Sequence, residues 1–232
     1  MKEYLDKIKI PYFIKRLKVD VGLSYNAPVS QKLLEHDSDL FVFGFEPNPN
    51  SIDCIVNRGV GYGSPIRLDP KYLEQNRMAI IPVALDDVSE KRQMEFFVTE
   101  NDPGCSSLHK PTHNAIKVQK KINVDVYPLS DFFDWVPWEY FGYIEWLKID
   151  AQGSDLNILK SAKNYLADLV VYVTAEADGW QYENCESCSK DEIREYMEKI
   201  GFIEIINENV SDPTFLNKNF VHLKDKIFLW QK

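Results

Sequence analysis

The chain reads as an α/β protein with a mostly parallel sheet, and two observations carry that reading. Apolar runs that suit strands alternate with helical patterns up to residue 85, and the alternation resumes at residue 143. Each of those strand ends also carries an acid, at the place where open α/β sheets gather their ligands.

In order, "LKVDVG" (17–22) precedes a helical "PVSQKLLEH", and "LFVFGFE" (40–46) precedes a helix that begins near Pro49. "MAIIPVAL" (78–85) is read as a third strand after a glycine-rich loop. Strand, helix, strand in this rhythm predicts right-handed crossovers. Residues 86–142 break the pattern: "RQMEFFVTE" and "INVDVYPLS" are extended, and "NDPGCSSLHKPTHN" between them is a long polar loop of the kind that serves as a lid or binding loop. The rhythm returns with "YIEWLKID" (143–150), a helix over "SDLNILKSAKNYL", and "DLVVYVTAE" (168–176). A helix across "SKDEIREYMEKIG" ends on a glycine, and "FIEIINEN" with "KIFLWQK" is read as a closing antiparallel pair. One domain spanning 1–232 is expected, with the 86–142 region as an insertion.

The 232 residues carry 27 lysines and arginines against 36 acids, a net charge of −9, with 44% hydrophobic residues. That balance suits an ordinary globular protein. The lysines are scattered apart from Lys117, Lys120 and Lys121, so no basic track for nucleic acid is present. "MKEYLDKIKIPYF" is too charged for a signal peptide, and no apolar run is long enough for a membrane span, which predicts a soluble, cytoplasmic protein. Cys185 and Cys188 have zinc-ligand spacing but no second pair, so reduced thiols are expected.

The acids at the strand ends point to chemistry. Asp20 and Gly22 follow the first strand, Glu46 the second, Asp86 the third, Asp150 the fourth and Glu176 the fifth. Glu46 lies 24 residues after Gly22, where dinucleotide folds place the carboxylate that accepts from a ribose diol. The turn at Gly22 lacks G-x-G-x-x-G, and Asp20 would oppose a pyrophosphate. A cofactor with a ribose, a cation and no phosphate fits, which describes S-adenosylmethionine.

"VDVGLSYNAP", "FGFEPNPNS", "IPVALDD", "CSSL", "VYPLSDFF" and "LKIDAQGSDLNILKSA" in this order resemble the FkbM-type methyltransferases, over residues 17–180. Members of that family use S-adenosylmethionine to methylate hydroxyl groups, often on sugars. The resemblance implies a class I methyltransferase (Rossmann-like) sheet of seven mostly parallel strands, with helices on both faces and a C-terminal antiparallel strand. It assigns the cofactor to Asp20, Gly22, Asn26, Glu46, Pro47 and Asn48, with Ala84 to Asp86 beside the adenine. Lys148, Asp150 and Gly153 fall on the motif that faces the transferable methyl, and Glu176 matches an acid after the next strand. Two departures stand out: Leu23, Ser24 and Tyr25 interrupt the family's first motif, and Gln152 occupies a place where Glu is frequent.

A hydroxyl becomes a good nucleophile as its proton leaves, so a base or a metal is expected. Asp150 is the first candidate, acting alone or holding a divalent cation (Mg, Mn or Ca) with Glu176 or Asp178. His109 and His113 in the long loop are rival bases, and Lys148 either serves the substrate or pairs with an acid. Trp135, Trp138 and Trp180 are candidates for stacking on a pyranose acceptor. The expected partner is a small-molecule or glycan acceptor. The competing readings are a nicotinamide-dependent oxidoreductase and a degenerate methyltransferase fold that only binds.

Overall fold

The computed structural model describes residues 1–57, 65–100, 102–177, 181–183, 185, 189–205 and 212–230. The described strands are β1 (Arg16–Val21), β2 (Leu40–Phe45), β3 (Met78–Ile81), β4 (Ala84–Leu85), β5 (Arg92–Thr99), β6 (Val118–Tyr127), β7 (Ile144–Ile149), β8 (Val170–Ala175), β9 (Phe202–Ile205) and β10 (Thr214–Asn217). The helices are α1 (Lys2–Leu5), α2 (Pro28–His36), α3 (Pro49–Asn57), α4 (Lys71–Glu74), α5 (Leu129–Trp135), α6 (Asp155–Ser161), α7 (Tyr165–Leu169) and α8 (Lys190–Lys199).

Seven strands form one sheet in the order β3-β2-β1-β7-β8-β10-β9. β3, β2, β1, β7 and β8 run parallel, and β10 is antiparallel to both β8 and β9. β2 shows why the strands read as unbroken apolar runs: Phe41, Phe43 and Phe45 enter one core and Leu40 and Val42 the other. A strand covered on both faces needs apolar residues at every position. The first core takes in Phe132 and Phe133 of α5, Leu156 and Leu159 of α6, and Ile193 and Met197 of α8. The second takes in Val29, Leu33 and Leu34 of α2 and Ile55 of α3, with the segment from Phe220 to Trp230 packed against it. Pro28 and Pro49 open their helices, where a missing N–H costs nothing, and Ser189 caps α8 in a reciprocal pair with Glu192.

Between residues 84 and 127 the chain forms a second sheet, of order β4-β6-β5, with a long loop between β5 and β6. Three sequence expectations need correction. The run 78–85 is two strands, because Pro82 ends β3 and hands β4 to the second sheet. The helix over 154–166 is broken, with Lys163 in the left-handed region (φ +55°) between α6 and α7. The closing antiparallel strand is "TFLN" and not "KIFLWQK": Thr214 faces Thr174 of β8, and their hydroxyls are 2.9 Å apart. The 226–230 segment instead lies on the second core, where Lys18 Nζ donates to the Phe228 carbonyl at 2.7 Å. Among the described residues, no helix is long and apolar enough to cross a membrane.

Candidate active site

At the carboxyl end of the parallel strands the chain leaves a cavity of about 330 Å³. The β1 side is set by a close approach. A Cβ on Gly22 would lie 1.9 Å from the Asp150 carbonyl oxygen, and its φ is +79°, so only glycine fits where the exits of β1 and β7 touch. The turn that follows uses non-glycine residues in the left-handed region, Ser24 (φ +57°) and Ala27 (φ +46°), before Pro28 starts α2.

Asp20 stands opposite Lys148 in the β1–β7 register. Lys148 Nζ lies 3.4 Å from Asp20 Oδ1 and 3.3 Å from Asp150 Oδ2, and donates to the carbonyls of Val21 and Gly22 at 3.3 and 3.1 Å. Burial disfavours its charge, but Asp150, then Asp20 and Glu176, more than offset this and hold the ammonium protonated above its ordinary range. Ser30 of α2 donates to the other Asp20 oxygen at 2.7 Å.

Glu46, just past β2, is buried and accepts from the Asn48 N–H at 2.9 Å. Burial pushes its carboxyl up to about 8, against the pull of the Asn48 and Ser24 N–H groups and Lys148. Past β7, Gln152 sits in the left-handed region (φ +53°), and its amide nitrogen donates to Asp150 Oδ1 at 2.8 Å and to Glu176. Burial, and then the charges of Asp150 and Asp155, hold the Glu176 carboxyl far above the usual carboxylate range, and it is hydrogen-bonded to Asp150. Asp155, at the start of α6, accepts from the N–H groups of Ala151 and Gly153 at 3.3 Å, and burial followed by Asp150 raises it to about 7. Residues 102–106 and Leu108 of the long loop form the opposite wall. There Asp102 Oδ1 accepts from Gly104 N at 2.9 Å and starts a single tight helical turn, Pro103–Cys105.

Of the expected site residues, Asp20, Gly22, Glu46, Pro47, Ala84, Lys148, Asp150 and Glu176 line this one cavity. Asn26, Asn48, Asp86 and His109 are not among its lining residues. The Asn26 carbonyl accepts from Leu68 N at 2.9 Å. Asn48 Oδ1 accepts from Asn50 N at 3.1 Å as α3 begins, and Asp86 Oδ1 accepts from Asp87 N at 2.9 Å. His109 Nε2 lies 3.1 Å from Ser154 Oγ and ties the long loop to the start of α6. Burial lowers its proton affinity, with Asp86 and the Glu183 carbonyl acting the other way. His113 is exposed.

The metal expectation on Asp150, Glu176 and Asp178 finds no support among the described residues, and Asp178 lies outside them. Among the described residues no group of three or more His, Cys, Asp or Glu is arranged to hold a metal. The Gln152 amide and the Lys148 ammonium take up the oxygens that would turn toward an ion. Asp178, Trp180 and Cys188 lie outside the described residues, and buried Cys185 donates to the Glu183 carbonyl at 3.4 Å. Trp135 is exposed with Lys2 over its ring, and the Trp138 indole donates to the Phe133 carbonyl at 2.9 Å. Sequence reasoning missed Ser30, Tyr182, Asp102 and Cys105. It noted Gln152 only as a departure, and that departure marked the residue joining two of the acids.

A family model described as the methyltransferase FkbM domain matches residues 24–204, a span that holds Glu46, Lys148, Asp150 and Glu176 and begins just after Gly22. No curated protein matches the chain. The chain belongs to the FkbM methyltransferase family.

Proposed function

We propose that the protein is an S-adenosylmethionine-dependent O-methyltransferase of the class I, Rossmann-like type, acting on a sugar or glycan hydroxyl. One observation carries the reading: Glu46 after β2 and the Lys148–Asp150 pair of β7 line the same cavity, on either side of the Gly22 turn. The donor set fits the cofactor. Glu46 suits a ribose diol, the buried Asp20 oxygen facing Lys148 has no hydrogen-bond donor of its own, and the acids around the cavity favour a cation. When bound, S-adenosylmethionine supplies an electrophilic methyl group on a sulfonium.

The chain's own residues would do the rest. An acceptor hydroxyl at the cavity would give its proton to the Asp150 carboxylate, which Lys148 and Gln152 hold in place. Lys148 balances the charge that Asp20 and Asp150 bring to the site. Among the described lining residues Lys148 is the one cation, against Asp20, Glu46, Asp102, Asp150 and Glu176. Such a lining suits a neutral or amine-bearing acceptor better than a phosphorylated one.

Calorimetry with S-adenosylhomocysteine, followed by transfer of labelled methyl to a panel of neutral, amino and phosphorylated sugars, tests the proposal. Binding and transfer to a neutral or amino member are expected. Asp150→Asn should keep cofactor binding while transfer falls by about 10²–10⁴-fold. Failure to bind at millimolar ligand would remove the enzyme reading, and full turnover in Asp150→Asn would remove the base.

A further inference from the structure

We propose that Gln152 is a positioning residue: its amide holds the Asp150 carboxylate for proton transfer and, through Tyr182, couples it to the Cys105 end of the loop over the cavity. The inference rests on the reading of Asp150 as the proton acceptor.

Gln152 uses both ends of its side-chain amide and its backbone carbonyl. Its two amide N–H groups go to Asp150 Oδ1 at 2.8 Å and to Glu176, and its Oε1 accepts from the buried Tyr182 hydroxyl at 2.6 Å. That hydroxyl also lies 3.1 Å from the Cys105 carbonyl, and the Gln152 carbonyl accepts from Ser107 Oγ at 2.7 Å. Turned the other way, the amide oxygen would face two carboxyl groups, so the orientation is set by its neighbours. The loop is further joined to the Tyr182 segment where Thr112 N donates to the Gln181 carbonyl and Glu183 N to the Lys110 carbonyl, both at 2.8 Å. Gln152 sits in the left-handed region (φ +53°), a strained conformation for a non-glycine residue that the surrounding bonds must offset.

The electrostatics explain why an amide serves here. Asp150 is faced by Lys148 from its own strand, Asp20 from β1, Glu46 from β2, Asp155 from α6, Glu176 past β8 and Cys105 from the loop. With one cation among them, a further carboxylate at 152 would add repulsion, whereas two N–H donors stabilise the ionised form. Asp150 and Glu176 are themselves hydrogen-bonded, so they titrate as a pair, and the amide bridges both members.

The test is the ¹³C carboxyl titration of the full chain, with the Asp150 signal assigned by its loss in Asp150→Asn. Gln152→Ala and Gln152→Asn should each raise the Asp150 midpoint by about one pH unit, a tenfold gain in proton affinity. Asparagine is at ease in the left-handed region but one methylene too short to bridge both acids, so it keeps the test if the alanine variant misfolds. Tyr182→Phe should shift the midpoint the same way by less. An Asp150 midpoint within about 0.3 unit of wild type in both Gln152 variants would overturn the role while S-adenosylhomocysteine binding stands. Wild-type protein that fails to bind S-adenosylhomocysteine would overturn the methyltransferase reading, and the role with it.

Discussion

β1 and β7 carry a buried charge cluster at each end, and the two clusters are built on opposite principles. At the amino end Arg16 meets Glu145 through two bonds of 2.6 and 2.9 Å and Asp37 at 2.6 Å, while fully buried Lys18 lies 3.2 Å from Asp37 and 3.7 Å from Glu145. Two cations face two buried acids, and Phe228 closes the cluster over Lys18 and stacks on His36 with ring centres 3.8 Å apart. At the carboxyl end one cation, Lys148, faces Asp20, Asp150 and Glu176, and the cluster opens on the cavity. Balanced charges that close on themselves are structural. An excess of one sign around a cavity, with carboxyls displaced far from their ordinary range, marks a candidate functional site.

The two ends also answer pH with opposite signs. Asp37 is held below its ordinary value: burial opposes this, but His36, Lys18 and Arg16 prevail. It therefore contributes stability that is present above its ordinary range and lost on acidification. Glu46, raised from 4.5 to about 8, contributes stability that is present below 4.5 and lost as pH climbs through 8.

The largest expected effect breaks the balanced end. Lys18→Ala leaves Asp37 and Glu145 short of a buried partner and should cost about 3–5 kcal/mol in urea unfolding, with S-adenosylhomocysteine affinity changed less than about threefold in the protein that remains folded. Loss of cofactor affinity out of proportion to unfolding would mean that the ends are coupled and the contrast false.

How far this contrast was legible in the sequence differs between its halves. α2 is placed residue for residue and α3 at its start, because a doubly covered strand has no alternation to misread and a proline marks each helix start. The acids at the strand ends were found for the same reason, since where a buried strand stops is where its side chains can reach a ligand. Which acids turn inward was not legible. Asp86 sits as close to a strand end as Glu46 does and also accepts from a backbone N–H just beyond it, yet only Glu46 lines the cavity, a difference of tertiary placement that periodicity does not encode. Gln152 and Tyr182 are 30 residues apart and meet only because the long loop and the β8 exit share a wall. The resemblance assigns Gly22 to the cofactor, whereas the structure shows that its missing Cβ makes room for the Asp150 carbonyl.

The next effect sharpens the open end. Glu46→Gln keeps the shape and removes the charge that would accept from a ribose diol, so S-adenosylhomocysteine affinity should fall by about tenfold to a hundredfold, the worth of a hydrogen bond to a charged group. Stability at pH 8–9 should hold or rise, since a buried acid is replaced by a neutral amide. Unchanged affinity by calorimetry would place Glu46 with the structural acids.

The smallest effect is the proton linkage of that contact. With its carboxyl near 8, Glu46 is mostly protonated at pH 7 and ionised at pH 9. A ligand that presents two hydroxyl donors to it selects the ionised form, which is about a tenth of the population one unit below the midpoint. Wild-type affinity for S-adenosylhomocysteine should therefore rise about tenfold between pH 7 and pH 9, once the ligand's own amine titration is corrected for, and the rise should vanish in Glu46→Gln. Asp37→Asn, at the balanced end, should leave the rise intact while removing the loss of stability in acid. A flat wild-type profile would mean that Glu46 meets the ribose as a neutral acid, and the open end would then recognise its ligand by hydrogen bonding without a change of charge.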